Sequence, residues 1–296
     1  MIANVVSEPR LTWDLVRDVR QLFDFPFMVS AFRAGTIVAV LSGLIGWFMV
    51  LRRQTFAGHT LALIGFPGGA GAVLIGVSAQ LGFYAFCVAG AIAIATLPPR
   101  TRSGFGEESA VIGVTQAVAL ASGFWFVSLS SRNLNGISTL LFGSFLGVTS
   151  SDVRTVAIVA VVALGILATI ARPLLFASID PDVAAARGVP VRTLSIVFTV
   201  LLGVAAAAST QITGSLLVFA LLVIPAAVAQ TITSRPGLGA LLSVVLAVAI
   251  AWLGLGIAYY SPYPIGFWLT SFAFAALVVA RTSARVGRRT RWRLAA

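Results

Sequence analysis

From Ala31 onward the chain is a succession of long apolar runs separated by short polar breaks, and none of its nine acidic residues falls inside a run. The runs cover 31–51, 60–79, 81–97, 109–129, 153–172, 193–209, 212–231, 238–258 and 265–281. Each is roughly 17–22 residues long, the length a helix rising about 1.5 Å per residue needs to cross a hydrocarbon core of about 30 Å. Segments of about ten residues with strict alternation, the signature of a membrane barrel, do not occur. The pattern therefore predicts an all-α fold: a polytopic transmembrane helical bundle of about nine spans.

Three stretches depart from the simple run. Leu11, Leu15, Val19, Leu22 and Phe23 recur at helical spacing while Asp14, Arg17, Asp18 and Arg20 take the other face, so residues 1–30 read as an N-terminal amphipathic segment lying on the membrane or the bundle. NGISTLLFGSFLGV (135–148) is apolar but too short to span, which suits a re-entrant or interfacial helix. SIDPDVAAARGVP (178–190), bounded by Pro181 and Pro190, predicts one or two helical turns in a loop.

Composition agrees with a bilayer setting: 59% of the 296 residues are hydrophobic and the mean hydropathy is +1.02, too apolar to cover a soluble core. All twenty basic residues are Arg, and the net charge of +11 sits in the loops and in the 282–296 tail. Basic residues at span ends mark cytoplasmic loops rather than a nucleic-acid surface. With the tail inside, the loops carrying Arg52 and Arg53, Arg100 and Arg102, Arg187 and Arg192, and Arg235 also fall inside; nine spans then put the N-terminus outside. Residues 1–30 lack the features of a cleaved signal, so the first span is expected to deliver the chain to the membrane.

Several chemistries are excluded. Without any Lys there is no GxxxxGK[ST] loop, so ATP would have to be hydrolysed by another subunit. One His and no carboxylate within the runs give neither a proteolytic centre nor the ionisable site that ion-coupled carriers and proton pumps place inside the bundle. The chain is not expected to be an enzyme. Cys87, alone in an apolar run, reads as packing.

Polar and special residues within the runs are the candidates for a path. His59 offers an imidazole suited to zinc and similar ions, but a stable Zn²⁺ site takes three or four protein ligands. The other reading is a helix-start His bonded to the adjacent Arg52–Arg53 loop. Gln116 and Gln211 would either line a wet path or bond between helices. Pro225 should kink or break the 212–231 run. Gly65, Gly68, Gly69 and Gly71 with Pro67 make the second run thin, through bending or close packing.

Four blocks, in order and spacing, resemble the metal-type ABC permeases of the ABC-3 family, importers of zinc, manganese and iron. They are RRQTFAGHTLALIGFPGGAGA (52–72), EESAVIGV (107–114), LLFGSFLGVTSSDV (140–153), and DPDVAAARGVPV (180–191) followed by TGSLLVFALLVIPAAVA (213–229). The resemblance runs from Phe27 to Arg281 and implies a permease domain over 31–281. It implies a homodimer or paired permease with one path, cytoplasmic ABC ATPase subunits, an extracytoplasmic metal-binding protein, membrane lipid around the spans, and no nucleic acid. Residues 180–191 look like the family's coupling helix. Asp180 or Asp182 would cap it, while Ala184, Ala185, Ala186 and Gly188 would allow close approach of the ATPase.

This chain has His59 where the family usually has Asp, Leu63 where it usually has His, and Glu108–Ser109 in place of an acidic pair. A metal in transit would meet mostly Ser, Thr, Gln and carbonyl groups. The resemblance implies a multi-pass cell-membrane permease of an ATP-driven importer for divalent transition metals, zinc first and manganese next. His59 is the one metal-contacting candidate, and no cofactor is bound by this chain. The alternatives are an iron-chelate or vitamin-type ABC permease and a stand-alone secondary carrier or channel.

Overall fold

A computed structural model describes residues 14–96, 105–129, 143, 147–215 and 218–294; side chains are not described at 15, 16, 19, 105–112, 211–213 and 284–294. Among the described residues every regular element is a helix. The first five are α1 (Leu15–Phe23), α2 (Pro26–Leu51), α3 (Thr55–Leu74), α4 (Ala79–Thr96) and α5 (Phe105–Leu129). They are followed by α6 (Ser150–Ile179), the single-turn α7 (Pro181–Ala186), α8 (Val191–Thr213) and the short pair α9 (Val218–Leu222) and α10 (Ile224–Ile232). The chain closes with α11 (Pro236–Tyr260) and α12 (Ile265–Leu294).

Seven of these, α2, α3, α4, α6, α8, α11 and α12, are long and apolar enough to cross a membrane; the apolar stretches Gly113–Leu129 and Val218–Ile232 are shorter. The molecule is a polytopic helical bundle. Its axis is α2, where Met28, Val38, Leu41, Ile45 and Met49 are fully buried. Hydrogen bonds tie α2 to its neighbours at three levels. Ser42 and Ser209 of α8 share one between hydroxyls at 2.8 Å, Ser243 of α11 donates to the Gly43 carbonyl at 2.8 Å, and Gln230 of α10 donates to the Trp47 carbonyl at 2.9 Å. In an apolar interior these bonds give the helices a register that hydrophobic contact alone would not fix.

Helix limits differ from the apolar runs where backbone geometry decides. The run 60–79 becomes α3, which starts at Thr55 and stops at Leu74. Gly76 adopts φ +80°, its N–H donates to the Val73 carbonyl, and the Val77 N–H donates to the Ala72 carbonyl, a left-handed cap that ends the helix whatever follows. Pro67 lies inside α3 without breaking it. The glycines around it answer to packing: a Cβ on Gly68 would stand 2.5 Å from the Gly82 carbonyl oxygen of α4. The run 212–231 is shared among the end of α8, α9 and α10, the last two meeting at a kink at Val223. α12 continues through Leu294 with no break at 282.

The bundle has two ends. At one, α1 folds back on α2 and α11: the Tyr260 hydroxyl donates to the Asp18 carbonyl at 2.8 Å, and the Phe23 and Phe32 rings lie 5.4 Å apart. Asp18, assigned by spacing to the polar face, is buried at 8% exposure, while Phe23 from the apolar face is 46% exposed. Leu22 from the apolar face is buried and Arg17 and Arg20 from the polar face are exposed, so Asp18, whose carbonyl takes the Tyr260 bond, and Phe23, the last residue of α1, are the departures from the expected faces. At the other end lie the Arg52 turn, α7, and the starts of α3, α8 and α11. The interfacial helix expected over 135–148 lies outside the described residues except for Gly143, Gly147 and Val148.

Candidate functional site

Polar candidates gather around the first turns of α3, where successive residues face different neighbours. Gly58 faces α2 and α9; a Cβ there would meet the Met49 sulfur at 2.5 Å and Leu222 at 3.4 Å. His59 faces α9, its ring edge-on to Phe219 with centroids 5.5 Å apart. Thr60 faces α5 and accepts from the Gln116 Nε2 at 3.1 Å, while its own hydroxyl donates to the Phe56 carbonyl at 2.9 Å. On the next residue, the Cys87 thiol of α4 donates to the Leu61 carbonyl at 3.2 Å. With Leu202 of α8 also beside Gly58, one helix end therefore touches five others.

The break in the 218–232 segment is the second half of the site. Pro225 has no N–H to offer Leu221 and sits in the first turn of α10, where its fixed φ is suited, while the Val223 N–H still donates to the Phe219 carbonyl and the Ala227 N–H to the Val223 carbonyl, both at 2.9 Å, so α9 and α10 meet at a kink within one segment. Across the break α2 presents Gly46. A Cβ there would stand 2.0 Å from the Leu222 carbonyl oxygen, so any side chain at 46 would collide with the backbone of the break. Interrupted helices whose loosened ends face a path are how transporters build sites within a membrane.

The four path candidates of the sequence thus separate. His59 and the Pro225 break adjoin through Phe219 and Leu222. Gln116 reaches the same helix but on another side, with its amide donating to Thr60, so it acts as an interhelical clasp. Gln211 lies in α8 with its side chain outside the described residues. The imidazole of His59 does not make the loop bond through Nδ1, which is buried and has no hydrogen-bond partner among the described residues. Among the described residues no group of three or more His, Cys, Asp or Glu could hold a metal.

At the Arg52 end, α7 is built as a rigid turn. The Asp180 carboxylate accepts from the Val183 N–H at 3.0 Å and Pro181 follows the cap, while Asp182 lies in the first turn, so Asp180 is the cap of the two considered. The helix ends in a left-handed cap: Gly188 has φ +81°, the Val189 N–H donates to the Ala184 carbonyl at 3.0 Å, and the Gly188 N–H to the Ala185 carbonyl at 2.9 Å. Among the described residues nothing lies within 4 Å of the Cβ position of Gly188, so within the chain it is the left-handed turn that asks for glycine. Ala184 is fully buried against its own chain and cannot meet a partner; Asp182, Val183, Ala185 and Ala186 are exposed.

Arg52, whose side chain no functional reading of the sequence used, stands beside α7. Its two terminal nitrogens donate at 3.1 Å to the hydroxyls of Ser178 and Ser195, and its guanidinium lies 5.5 Å over the Phe198 ring. Burial pulls its pKa below the usual guanidinium value. Arg53 follows in a left-handed conformation, φ 57°, and closes α2 with the bond pattern of a glycine cap: Arg53 N–H to the Val50 carbonyl and Gln54 N–H to the Met49 carbonyl.

Comparison with known proteins agrees with this architecture. The chain is 28% identical over 238 residues to the manganese transport system membrane protein MntC of Listeria innocua, covering 80% of this chain and 84% of that protein. It is 30% identical over 243 residues to the chelated iron transport system membrane protein YfeC of Yersinia pestis, covering 82% and 80%. A solved structure, PsaBC from Streptococcus pneumoniae in complex with Fab, shares the fold with a TM-score of 0.81 at 24% identity, covering 90% of this chain and 95% of that one. Residues 24–283 match the ABC 3 transport family, and the chain belongs to that family as a multi-pass permease of the cell membrane.

Proposed function

We propose that this chain is the transmembrane subunit of an ATP-driven importer of divalent transition-metal ions, with manganese the preferred cargo, ferrous iron next and zinc behind them. The observation that carries the importer reading is α7: a capped, exposed turn held between the long helices α6 and α8 at the Arg-rich end of the bundle. It gives a separate ATPase something stiff to grip. The bundle itself has nothing that could hydrolyse a nucleotide. The relatives named for manganese and chelated iron transport support the choice of cargo.

Zinc, first in the sequence reading, ranks lower here because a stable Zn²⁺ site takes three or four protein ligands, whereas His59, beside Phe219, is the lone imidazole at the α3–α9 junction. Conduction asks only for weak successive contacts, so a single imidazole is compatible with passage. In this reading the permease pairs with a second copy, and a metal-loaded binding protein docks at the Tyr260 end. ATP-driven movement of α7 then opens the path toward the Arg52 end, which is cytoplasmic. Nine crossings follow when α5 and the α9–α10 pair are each counted as one.

The test is metal uptake into vesicles containing the permease with and without its ATPase and ATP, comparing Mn²⁺, Fe²⁺ and Zn²⁺. ATP-dependent uptake with manganese fastest is expected. Uptake that runs equally well without ATPase would leave a stand-alone carrier or channel, and zinc as the fastest cargo would reverse the ranking.

A further inference from the structure

Arg52 is the only side chain on the α2–α3 turn with hydrogen bonds to both helices that flank α7 among the bonds described. Ser178 lies two residues before Asp180, the cap of α7, and Ser195 lies near the start of α8, just after the loop. The planar guanidinium directs its donors in a fixed fork, so two acceptors bound to it are held at a fixed separation. The Ser178 acceptor is itself anchored, its hydroxyl donating to the Leu174 carbonyl of α6, and the backbone at Ser195 is tied into α8, its carbonyl accepting from the Thr199 hydroxyl at 2.8 Å. The Phe198 ring closes one face of the cation, adding a cation–π contact and limiting its hydration.

On the other side, the turn bearing Arg52 is stiff. Its own N–H donates to the Phe48 carbonyl at 2.9 Å, and the left-handed cap at Arg53 fixes the direction in which the chain leaves α2. Six to eight residues after Arg52 come Gly58, His59 and Thr60, beside Leu222, Phe219 and Gln116. A continuous set of contacts therefore runs from the ends of α7, through Arg52 and a rigid turn, to the broken α9–α10 segment.

We propose that Arg52 is a positioning residue that transmits the displacement of α7 to the start of α3 and so to the break at Val223, linking ATP hydrolysis to opening of the path. This rests on the importer reading above. It requires the fork, not merely a positive charge near the membrane boundary, because a charge alone would leave Ser178 and Ser195 free to part as α7 moves.

The experiment uses the full complex of permease, ATPase and binding protein in vesicles, measuring ATP hydrolysis and Mn²⁺ uptake in the same preparation. Two variants are compared with the unsubstituted complex: Arg52→Met, and the double variant Ser178→Ala with Ser195→Ala, which keeps the cation on Phe198 and removes only its acceptors. Hydrolysis is expected to persist while Mn²⁺ carried per ATP falls about tenfold in both, within the range reported for residues along coupled networks. An unchanged ratio in the double variant overturns the proposal. So does a proportional loss of hydrolysis and uptake, which would make Arg52 a structural residue only. Uptake by the unsubstituted complex that needs no ATP would remove the importer reading and this proposal together, and is told apart from the other outcomes before any variant is made.

Discussion

Gly46 and Gly165 are both glycines of apolar helices, yet their surroundings set opposite expectations for the same substitution. At Gly46 an added Cβ would stand 2.0 Å from the Leu222 carbonyl oxygen, a backbone atom that cannot swing aside, whereas among the described residues nothing lies within 4 Å of the Cβ position at Gly165. Gly46→Ala should cost about 3 kcal/mol through overpacking and reduce Mn²⁺ uptake, while Gly165→Ala should stabilise by about 0.5–1 kcal/mol through the reduced freedom of the unfolded chain. Thermal unfolding of the purified variants in one detergent checks both, and a neutral Gly46→Ala would contradict the tight crossing at the break. Arg53 offers the converse case. An L residue held at φ 57° pays about 1–2 kcal/mol in sterics. Arg53→Gly should therefore raise the unfolding temperature by a few degrees, unless the exposed guanidinium serves elsewhere. None of the three effects could be read from the sequence. Each depends on which backbone atom a distant segment brings near, and local residue type does not encode that.

Elements were legible where one physical signal decides them and illegible where two compete. Hydropathy over about twenty residues located the long helices, because in lipid an unpaired backbone group is too costly for any other conformation. The turn of α7 was equally plain, since Pro181 and Pro190 bound the segment and Asp180 was a candidate cap; that Gly188 is where it stops shows only in the backbone geometry. The end of α3 was missed because its apolar run continues past Gly76, and only the left-handed geometry there ends the helix. The partners of His59 and Gln116 were missed for a different reason: helix rotation about its axis is set by neighbours, and an almost uniformly apolar surface gives no periodic clue to it. Two predictions belong at this scale. Asp180→Ala removes the cap of α7 at a cost of about 1 kcal/mol, and Gly188→Ala strains its end by a similar amount. Both should weaken copurification of the ATPase while leaving the permease's own unfolding temperature nearly unchanged, because the exposed loop adds little to the core. Pro225→Ala restores an N–H where α9 and α10 part. If the break serves transport, uptake should fall severalfold with assembly intact; full activity in this variant would show that Val223 and Gly46 suffice to keep the segment interrupted.

Across the whole molecule the charges divide unevenly between the two ends, and the division predicts which end faces the cytosol. Among the residues whose side chains are described, Arg17, Arg20, Arg33 and Arg154 lie toward the Tyr260 end together with Asp14, Asp18, Asp24 and Asp152, in balance. Among the same residues, Arg52, Arg53, Arg172, Arg187, Arg192, Arg235 and Arg281 lie toward the other end with Asp180 and Asp182. Arginine near span ends is retained on the cytoplasmic side during insertion, and acidic residues contribute little to that choice. The Arg52 end should therefore be inside, the side on which an ATPase has access to α7, and α1 with Tyr263 should be outside. Impermeant maleimide labelling tests this without a cysteine-free background, because Cys87 is fully buried and donates its thiol to the Leu61 carbonyl. The unsubstituted protein should remain unlabelled in intact cells. Tyr263→Cys, at a position 59% exposed beyond the end of α11, should label in intact cells, and Ala185→Cys on α7 only after the membrane is opened. The reverse pattern would put α7 on the side where no ATP is available, and a bundle so oriented could not be driven through that turn.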